Sequence, residues 1–534
     1  MKKRIISSVV ALAFGFSALG IRLFFISTNT EYASTQTHVR VKEIDEKRGN
    51  IYDCNGELLV NSETETVLLV KPDSSTFPII IELKGKAFVK ETLMNGYFTT
   101  VKTDSLKSNY NNPNIATVTT FNRYSDTTAV HLIGYTNSEG DGVCGIEKYY
   151  NNEIKKYNGK LSVAYSTDAL GRMLVGEKTE IRNKNYYKSG GINLTVDKNF
   201  QIITEEALKN GNILKGAAVI LEVNSGAIKS VVSTPTYDRN DLGSYLNDEN
   251  LPFLNRAFSA YPVGSVFKTV TAVSALENNI ELETIECVGY TEKSGNKFYC
   301  NKRDGHGTVD FKTALSQSCN TYFIEIGTKT GGEALLKTAE KTGFGKEIDI
   351  GNGFTTDSGI LPELKELNSE AAVGNLSFGQ GKLTATPLQV AAFYSAIANG
   401  GIYNKPYIYD GYTNCDGERI SIAQKGGNRI ITEDVCNIIK EAMMETTING
   451  TGKTAYSPLF KSATKTATAQ SGIYAENGNE IKYSWFVGFF PYENPSYVIC
   501  IMKENGNSGG IDGAPVFKEI CENIYKHENN RDVS

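Results

Sequence analysis

The chain has 534 residues, room for two or more domains and a sizeable core. Hydrophobic residues make up 40 % and charged residues 22 %, the proportions of a globular protein. Its 55 basic and 60 acidic side chains leave a net charge of −5, which supplies no basic footprint and excludes nucleic acid as an expected partner.

The N-terminus opens with Lys2-Lys3-Arg4, runs uncharged from Ile5 to Ile21, and continues past Arg22 with Leu23-Phe24-Phe25-Ile26. With Arg22 snorkelling to the outer interface, this is about the 20 residues a bilayer requires. Residues 5–26 are therefore expected to form an uncleaved anchor. The basic cluster sets residues 1–4 in the cytoplasm and everything after residue 28 outside. A cleaved signal peptide is the competing reading, because Ala18-Leu19-Gly20 loosely resembles a cleavage site. From 29 to about 190 the chain is polar, with turn signals at Asn55-Gly56 and Asn158-Gly159 and strand-like runs such as Thr66–Val70. These residues by themselves describe a spacer or interaction domain.

A second domain is expected over 191–534. Asn193–Asp197 alternates like a strand leading into a helix. Ala217–Val223 and Ile228–Val232, joined by Asn224-Ser225-Gly226, read as a hairpin. Toward the other end, Ser484–Pro491 and Tyr497–Met502 are two buried strands, and Ala514–Lys526 is a closing helix. Strands at both ends with helices between predict an α+β domain.

The middle of this domain carries the candidate chemistry. Pro262 and Gly264 break the chain before Ser265; Val266, Val270, Val273 and Leu276 then repeat at helical spacing up to Glu277. Ser265 is thus expected near a helix N-terminus, where free N–H groups and the dipole favour an oxyanion. Lys268 stands one turn along the same face, within reach of the Ser265 hydroxyl. A buried, desolvated lysine can be neutral and accept the serine's proton. Ser318-Cys319-Asn320 follows a helical run over Phe311–Gln317, on a loop facing that helix, and Lys465-Thr466-Ala467-Thr468 reads as a strand beside the cleft. Each motif alone has a plain structural reading: a helix N-terminal serine, a capped turn, an alternating strand.

Four histidines (His38, His131, His306, His527) form no H-E-x-x-H or similar pair, so no histidine-based zinc site is expected and Lys268 takes the place of the base. The nine cysteines are scattered at 54, 144, 287, 300, 319, 415, 436, 500 and 521; no pair has zinc-site spacing and no disulfide scaffold emerges. A Cys287–Cys300 bridge stays open.

S-x-x-K with S-D-N and K-T-G is the signature of penicillin-interacting serine enzymes, and Ser265–Lys268, Ser318–Asn320 and Lys465–Ala467 stand in that order. On these residues the sequence resembles the class B penicillin-binding proteins, monofunctional peptidoglycan transpeptidases. Arg48-Gly49-Asn50-Ile51-Tyr52-Asp53 with Gly56, His131–Tyr135, Gly145–Tyr150, Gly305-His306-Gly307, Thr321-Tyr322-Phe323 and Phe378-Gly379-Gln380-Gly381 with Thr386-Pro387-Leu388-Gln389 extend the resemblance over nearly the whole chain after residue 40. Two positions depart from the family pattern. Cys54 stands where the family has arginine, and Ala467 replaces the glycine of K-T-G, adding a methyl group to the cleft.

The resemblance implies a transmembrane helix, a mainly-β or mixed pedestal domain over 29–190, and a transpeptidase domain over 191–534 with an antiparallel sheet flanked by helices and a helical lobe. It implies Ser265 as acyl-enzyme nucleophile on a terminal D-Ala-D-Ala bond. The Lys268 amine is the natural acceptor of its proton and Lys465 a second nearby charge, and which of the two lysines is the base in acylation stays open. Ser318 would relay a proton to the leaving group, and Asn320 would hold the substrate backbone. Lys465 and Thr466 would bind the substrate carboxylate beside Ala467, with the N–H groups of Ser265 and Thr468 as the oxyanion hole. The implied partners are peptidoglycan stem peptides, β-lactams that acylate the same serine, the plasma membrane, and a polytopic glycosyltransferase. No cofactor and no metal are implied.

Rival readings are a D,D-carboxypeptidase or β-lactamase, which pass the acyl group to water, and a non-catalytic sensor or scaffold. The long pedestal and the anchor argue against the hydrolases. A sensor needs a cytoplasmic domain, and a scaffold has no need of all three motifs. Two further patterns are set aside: Gly450-Thr451-Gly452-Lys453-Thr454 lacks the first glycine of a P-loop, and Gly506-Asn507-Ser508-Gly509-Gly510 is followed only by His527, too near for a hydrolase triad.

Overall fold

The computed structural model describes residues 2–28, 38–71, 73–85, 88, 99–103, 112–168, 173–174, 179–474 and 478–531. The apolar N-terminal run forms helix α1 (Lys2–Thr28), slightly longer than the expected 5–26, with none of its side chains buried. Its mean hydropathy reaches 2.2, and among the described residues it is the one helix long and apolar enough to cross a membrane. At 27 residues it extends about 40 Å, more than the ~30 Å of hydrocarbon it would span. It fits a membrane anchor.

The chain packs as two compact units. The first takes residues 1–49, 61–125 and 157–188; the second takes 50–60, 126–156 and 189–534. In the first unit, strands β1 (His38–Lys47), β2 (Glu63–Val70), β3 (Thr99–Thr103), β4 (Ile115–Asn122), β5 (Gly159–Thr167) and β6 (Glu180–Lys184) form two antiparallel sheets, ordered β1-β5-β6 and β3-β2-β4. The unbroken apolar run of β2 reflects burial on both faces. Val67 and Leu69 pack with Val118, Leu161 and Tyr165, whereas Leu68 and Val70 pack with Ile79, Ile80 and Val101.

Two segments that precede the expected boundary at 190 belong to the second unit. Asn50–Tyr52 pairs in parallel with Gly191–Leu194, and His131 Nε2 donates to Pro252 O at 2.6 Å. Gly134 and Gly145 (φ +79° and +59°) bring their two loops together: a Cβ on either would overlap the other loop's backbone. At Cys54, the position without its arginine, Lys229 Nζ reaches Sγ at 3.3 Å and Arg419 Nη1 donates to the carbonyl at 2.5 Å.

The centre of this unit is an antiparallel five-stranded sheet of β7 (Gly216–Glu222), β8 (Ile228–Thr234), β9 (Ala463–Tyr474), β10 (Glu480–Phe490) and β11 (Tyr497–Lys503), in the order β8-β7-β11-β10-β9. Helix α2 (Lys198–Asn210) starts at Asp197, whose carboxylate accepts from the N–H groups of Asn199 and Phe200. Further on come α3 (Lys268–Glu277), α4 (Phe311–Ser316), α5 (Asn320–Thr330), α6 (Pro387–Ala398), α7 (Glu433–Ile448) and α8 (Gly509–Arg531). One sheet face is covered by α2 and α8, with Phe200, Leu208, Phe517 and Ile520 against Ile220, Phe486 and Ile499. On the other face lies α6, all twelve of whose residues are buried, as a helix apolar on every side must be. The hairpin and both late strands fall where their patterns placed them. The closing helix begins earlier than Ala514, at Gly509.

Candidate active site

Ser265 occupies a 3-10 turn, Gly264–Phe267, that runs into α3 at Lys268. The turn is pinned from several sides. Tyr261-Pro262 pairs with Thr384-Ala385, the indole N–H of Trp485 donates to Pro262 O at 2.8 Å, and the Tyr394 hydroxyl of α6 donates to Val266 O at 2.9 Å. Gly264 has φ +58°, and a Cβ there would come within 3.1 Å of Ala469 Cα and Thr468 O. Gly379 approaches from behind so closely that its own Cβ would overlap the Gly264 carbonyl. The Phe378–Gly381 segment, a family marker in the sequence, is thus the backing of the Ser265 turn.

Lys268 is wholly buried. Its ammonium donates to Ser318 O (2.6 Å), Ser318 Oγ (3.2 Å) and Asn320 Oδ1 (2.7 Å). Among the described residues no hydrogen bond joins it to Ser265, contrary to the simple one-turn picture. The serine lies in the tighter turn before the α-helix begins, and the three acceptors on the facing loop take all three ammonium protons.

That loop is shaped by Ser318 itself, which adopts φ +55°, a left-handed conformation that costs a non-glycine residue about 1 kcal/mol. It lets the chain turn directly from α4 into α5. Lys465, on edge strand β9 and equally buried, donates to Ser318 Oγ at 3.0 Å and to Thr466 O at 2.7 Å. Both lone pairs of the Ser318 hydroxyl therefore accept from lysines, which leaves its proton free to be donated. Burial lowers Lys268 to about 8. It lowers Lys465 well below the usual lysine range, with the charge of Lys268 as the second cause. A pair of amines so placed gives up a proton far more readily than free lysine does.

Ser265, Ser318, Asn320, Thr466, Ala467 and Thr468 converge on one cleft of about 800 Å³. Lys268 and Lys465 lie beneath its floor. Thr466 is nearly buried, with its hydroxyl paired to Thr451 Oγ1 at 2.6 Å; the more open hydroxyl of this strand is Thr468. Ala467 stands in register with Trp485. Four cations, Lys297, Arg303, Lys453 and Lys482, line the cleft, and no Asp or Glu is among its lining residues.

Both patterns set aside in the sequence contribute to the walls. Gly450-Thr451 is the turn closing α7, glycine being required because a Cβ would overlap Ser316 O. Ser508–Ile511, at the start of α8, lines the same cleft as Ser265. Neither has a local signal for this role, because each enters the cleft through packing. All nine cysteines are free thiols, so Cys287 and Cys300 are not bridged. Instead Cys287, Cys300 and Cys319 meet His306 in one cluster, against the expectation of scattered cysteines and an isolated histidine.

A serine beside buried amines, with no histidine among the residues lining the cleft, defines the class: a serine acyl-transfer enzyme. Residues 216–522 match the penicillin binding protein transpeptidase domain. Stage V sporulation protein D of Bacillus subtilis is 32 % identical over 73 % of this chain and 61 % of its own length. The peptidoglycan D,D-transpeptidase MrdA of Acinetobacter baumannii is 27 % identical over 90 % of this chain and 80 % of its own length. Among solved structures, the penicillin-binding protein PBP2 of Helicobacter pylori, in complex with MreC, superposes with a TM-score of 0.66 at 24 % identity, covering 92 % of this chain and 99 % of that one. The chain belongs to the penicillin-binding protein transpeptidases, as a class B member.

Proposed function

We propose that Ser265 carries the acyl group in peptidoglycan D,D-transpeptidation, and that Ser318 is the proton relay between two buried amines. The single observation that supports this most is the Ser318 hydroxyl accepting from both Lys268 and Lys465 beside the serine. Ser265 Oγ attacks the carbonyl of a terminal D-Ala-D-Ala bond, and its proton passes to Lys268 once that amine has passed its own through Ser318 to a neutral Lys465, which returns it to Ser318 as the amine departs. Ser318 then protonates the departing amine of D-alanine. The amino group of a second stem peptide resolves the ester, and the proton path runs in reverse. The N–H groups of Ser265 and Thr468 hold the oxyanion. The second amide proton of Asn320, whose first goes to Tyr299 O at 2.9 Å, holds the substrate backbone. Lys465, Thr466 and Thr468, backed by the cleft's cations, draw in the terminal carboxylate past Ala467.

The chain beyond residue 28 lies outside the plasma membrane, anchored by α1 with residues 1–4 in the cytoplasm. A polytopic glycosyltransferase supplies the glycan strands.

The detergent-solubilised chain is treated with a fluorescent penicillin beside Ser265→Ala, and then with a D-Ala-D-Ala peptide with and without an acceptor amine. Stable labelling absent from the variant and a cross-linked product by mass spectrometry are expected. Rapid loss of label to water would assign a hydrolase instead, and no label on a folded wild type would assign a scaffold.

A further inference from the structure

We propose that Cys287, Cys300, His306 and Cys319 form a tetrahedral zinc site that clamps the Ser318–Asn320 loop. The ligand atoms, three Sγ and His306 Nδ1, all lie within 4.8 Å of one another. The individual separations are more telling. Cys300 Sγ stands 3.8 Å from Cys319 Sγ, and His306 Nδ1 stands 3.5 Å from both Cys287 Sγ and Cys300 Sγ. Around a tetrahedral zinc with Zn–S of about 2.3 Å and Zn–N of about 2.05 Å, the S···S edge is about 3.8 Å and the S···N edge about 3.6 Å. The cluster already has the edges of the coordination polyhedron. A disulfide between Cys300 and Cys319 would need the sulfurs at about 2.05 Å.

The backbone is built to gather these four residues. Strand Ile285–Cys287 pairs with Gly307–Val309, which sets Cys287 opposite the residue after His306. His306 sits between Gly305 and Gly307, at φ +82° and +73°, conformations that let a single residue turn inward between two strands. A Cβ at Gly289 would overlap Arg303 O, and one at Gly305 would overlap Cys287 O. The two segments are in backbone contact. The Cys300 N–H donates to Gly289 O at 2.9 Å. All three thiols are buried, at 2 % exposure or less, and two have polar neighbours at the sulfur: Asn320 N–H donates to Cys300 Sγ at 3.3 Å, and Thr321 Oγ1 lies 3.1 Å from Cys319 Sγ. Such outer contacts orient and stabilise metal-bound thiolates.

The site touches the chemistry through the chain. Cys319 lies between Ser318 and Asn320, and Cys300 follows Tyr299, whose carbonyl holds the Asn320 amide. Zinc would fix both ends of the loop that keeps Ser318 left-handed between the lysines. On binding, three S–H bonds break, three Zn–S bonds and one Zn–N bond form, and three protons leave to solvent; nothing is oxidised.

The test uses the full chain, purified in detergent under reducing conditions without chelator. Elemental analysis should find close to one zinc per chain. Cobalt(II) substitution should produce thiolate charge-transfer and tetrahedral ligand-field bands. Cys300→Ala and His306→Ala should lose the metal; Cys287→Asp, which keeps a ligand, and Cys521→Ala, which lies elsewhere, should retain it. Removing zinc should slow penicillin labelling at least about tenfold, with recovery on zinc addition. If a ligand variant fails to fold, the wild-type cobalt spectrum decides alone. A folded, penicillin-reactive wild type that takes up neither zinc nor cobalt would overturn the proposal. So would a mass deficit of two hydrogens from a Cys300–Cys319 disulfide in the zinc-treated protein. Labelling indifferent to zinc removal would overturn the clamp.

Discussion

Ser318 shows how much one hydroxyl can be asked to do when two buried amines converge on it. Its strained backbone is maintained because the loop it shapes satisfies all three protons of Lys268. If Lys268 acts as a base and not merely as a charge, Lys268→Arg should fail. Guanidinium stays protonated, so acylation by penicillin should fall about 10²–10⁴-fold in a labelling time course. At 467, alanine is compatible with the strand, and the wild type should label. Ala467→Val places a branched side chain in the wall of the cleft while suiting a β-strand. Labelling should drop more than about tenfold with the melting temperature nearly unchanged.

At the scale of elements, the serine's turn depends on a segment far away in sequence. Gly379 and Gly381 both have positive φ, +82° and +90°, but only at Gly379 would a Cβ meet anything, namely the backbone of Gly264. Gly381→Ala should therefore cost only the backbone strain, about 1 kcal/mol, and leave labelling intact. Gly379→Ala adds displacement of the Ser265 turn and should lower both thermal stability and the acylation rate. Equal effects from the two variants would mean that the turn has no such support. The elements were legible where pattern alone decides them. α1, the β7–β8 hairpin, β10, β11 and α8 follow from apolar run length, alternation and turn residues. The supports of the turn were not, because close backbone approach leaves only a glycine in the sequence, and the chain has 50 of them.

The molecule as a whole is assembled from interleaved stretches, and this gives a pH dependence. His131, in the 126–156 segment of the second unit, is buried with its Nε2–H on Pro252 O, and burial lowers it from 6.5 to about 4. The unfolded chain therefore takes up a proton near pH 6.5 that the folded chain refuses. Stability present above that pH is lost as it falls towards 4, by up to about 3 kcal/mol. Thermal denaturation of the wild type and His131→Gln between pH 7 and 4.5 should show the variant losing less. Parallel curves would assign the acid sensitivity to other groups.

The three motifs, the long apolar N-terminal helix and the α+β class were written in the chain because each depends on residue type and short-range period. The arrangement of side chains around them was decided by packing. Thr466 turned to Thr451, Ser318 came to lie between Lys268 and Lys465, and two stretches before residue 190 joined the second unit. The four cluster residues are spread over 287 to 319 without the short Cys or His pairs that mark a zinc motif. A sequence records neighbours along the chain, whereas a coordination shell or a proton relay is a matter of neighbours in space. Only the closure of the loops between them makes the two coincide.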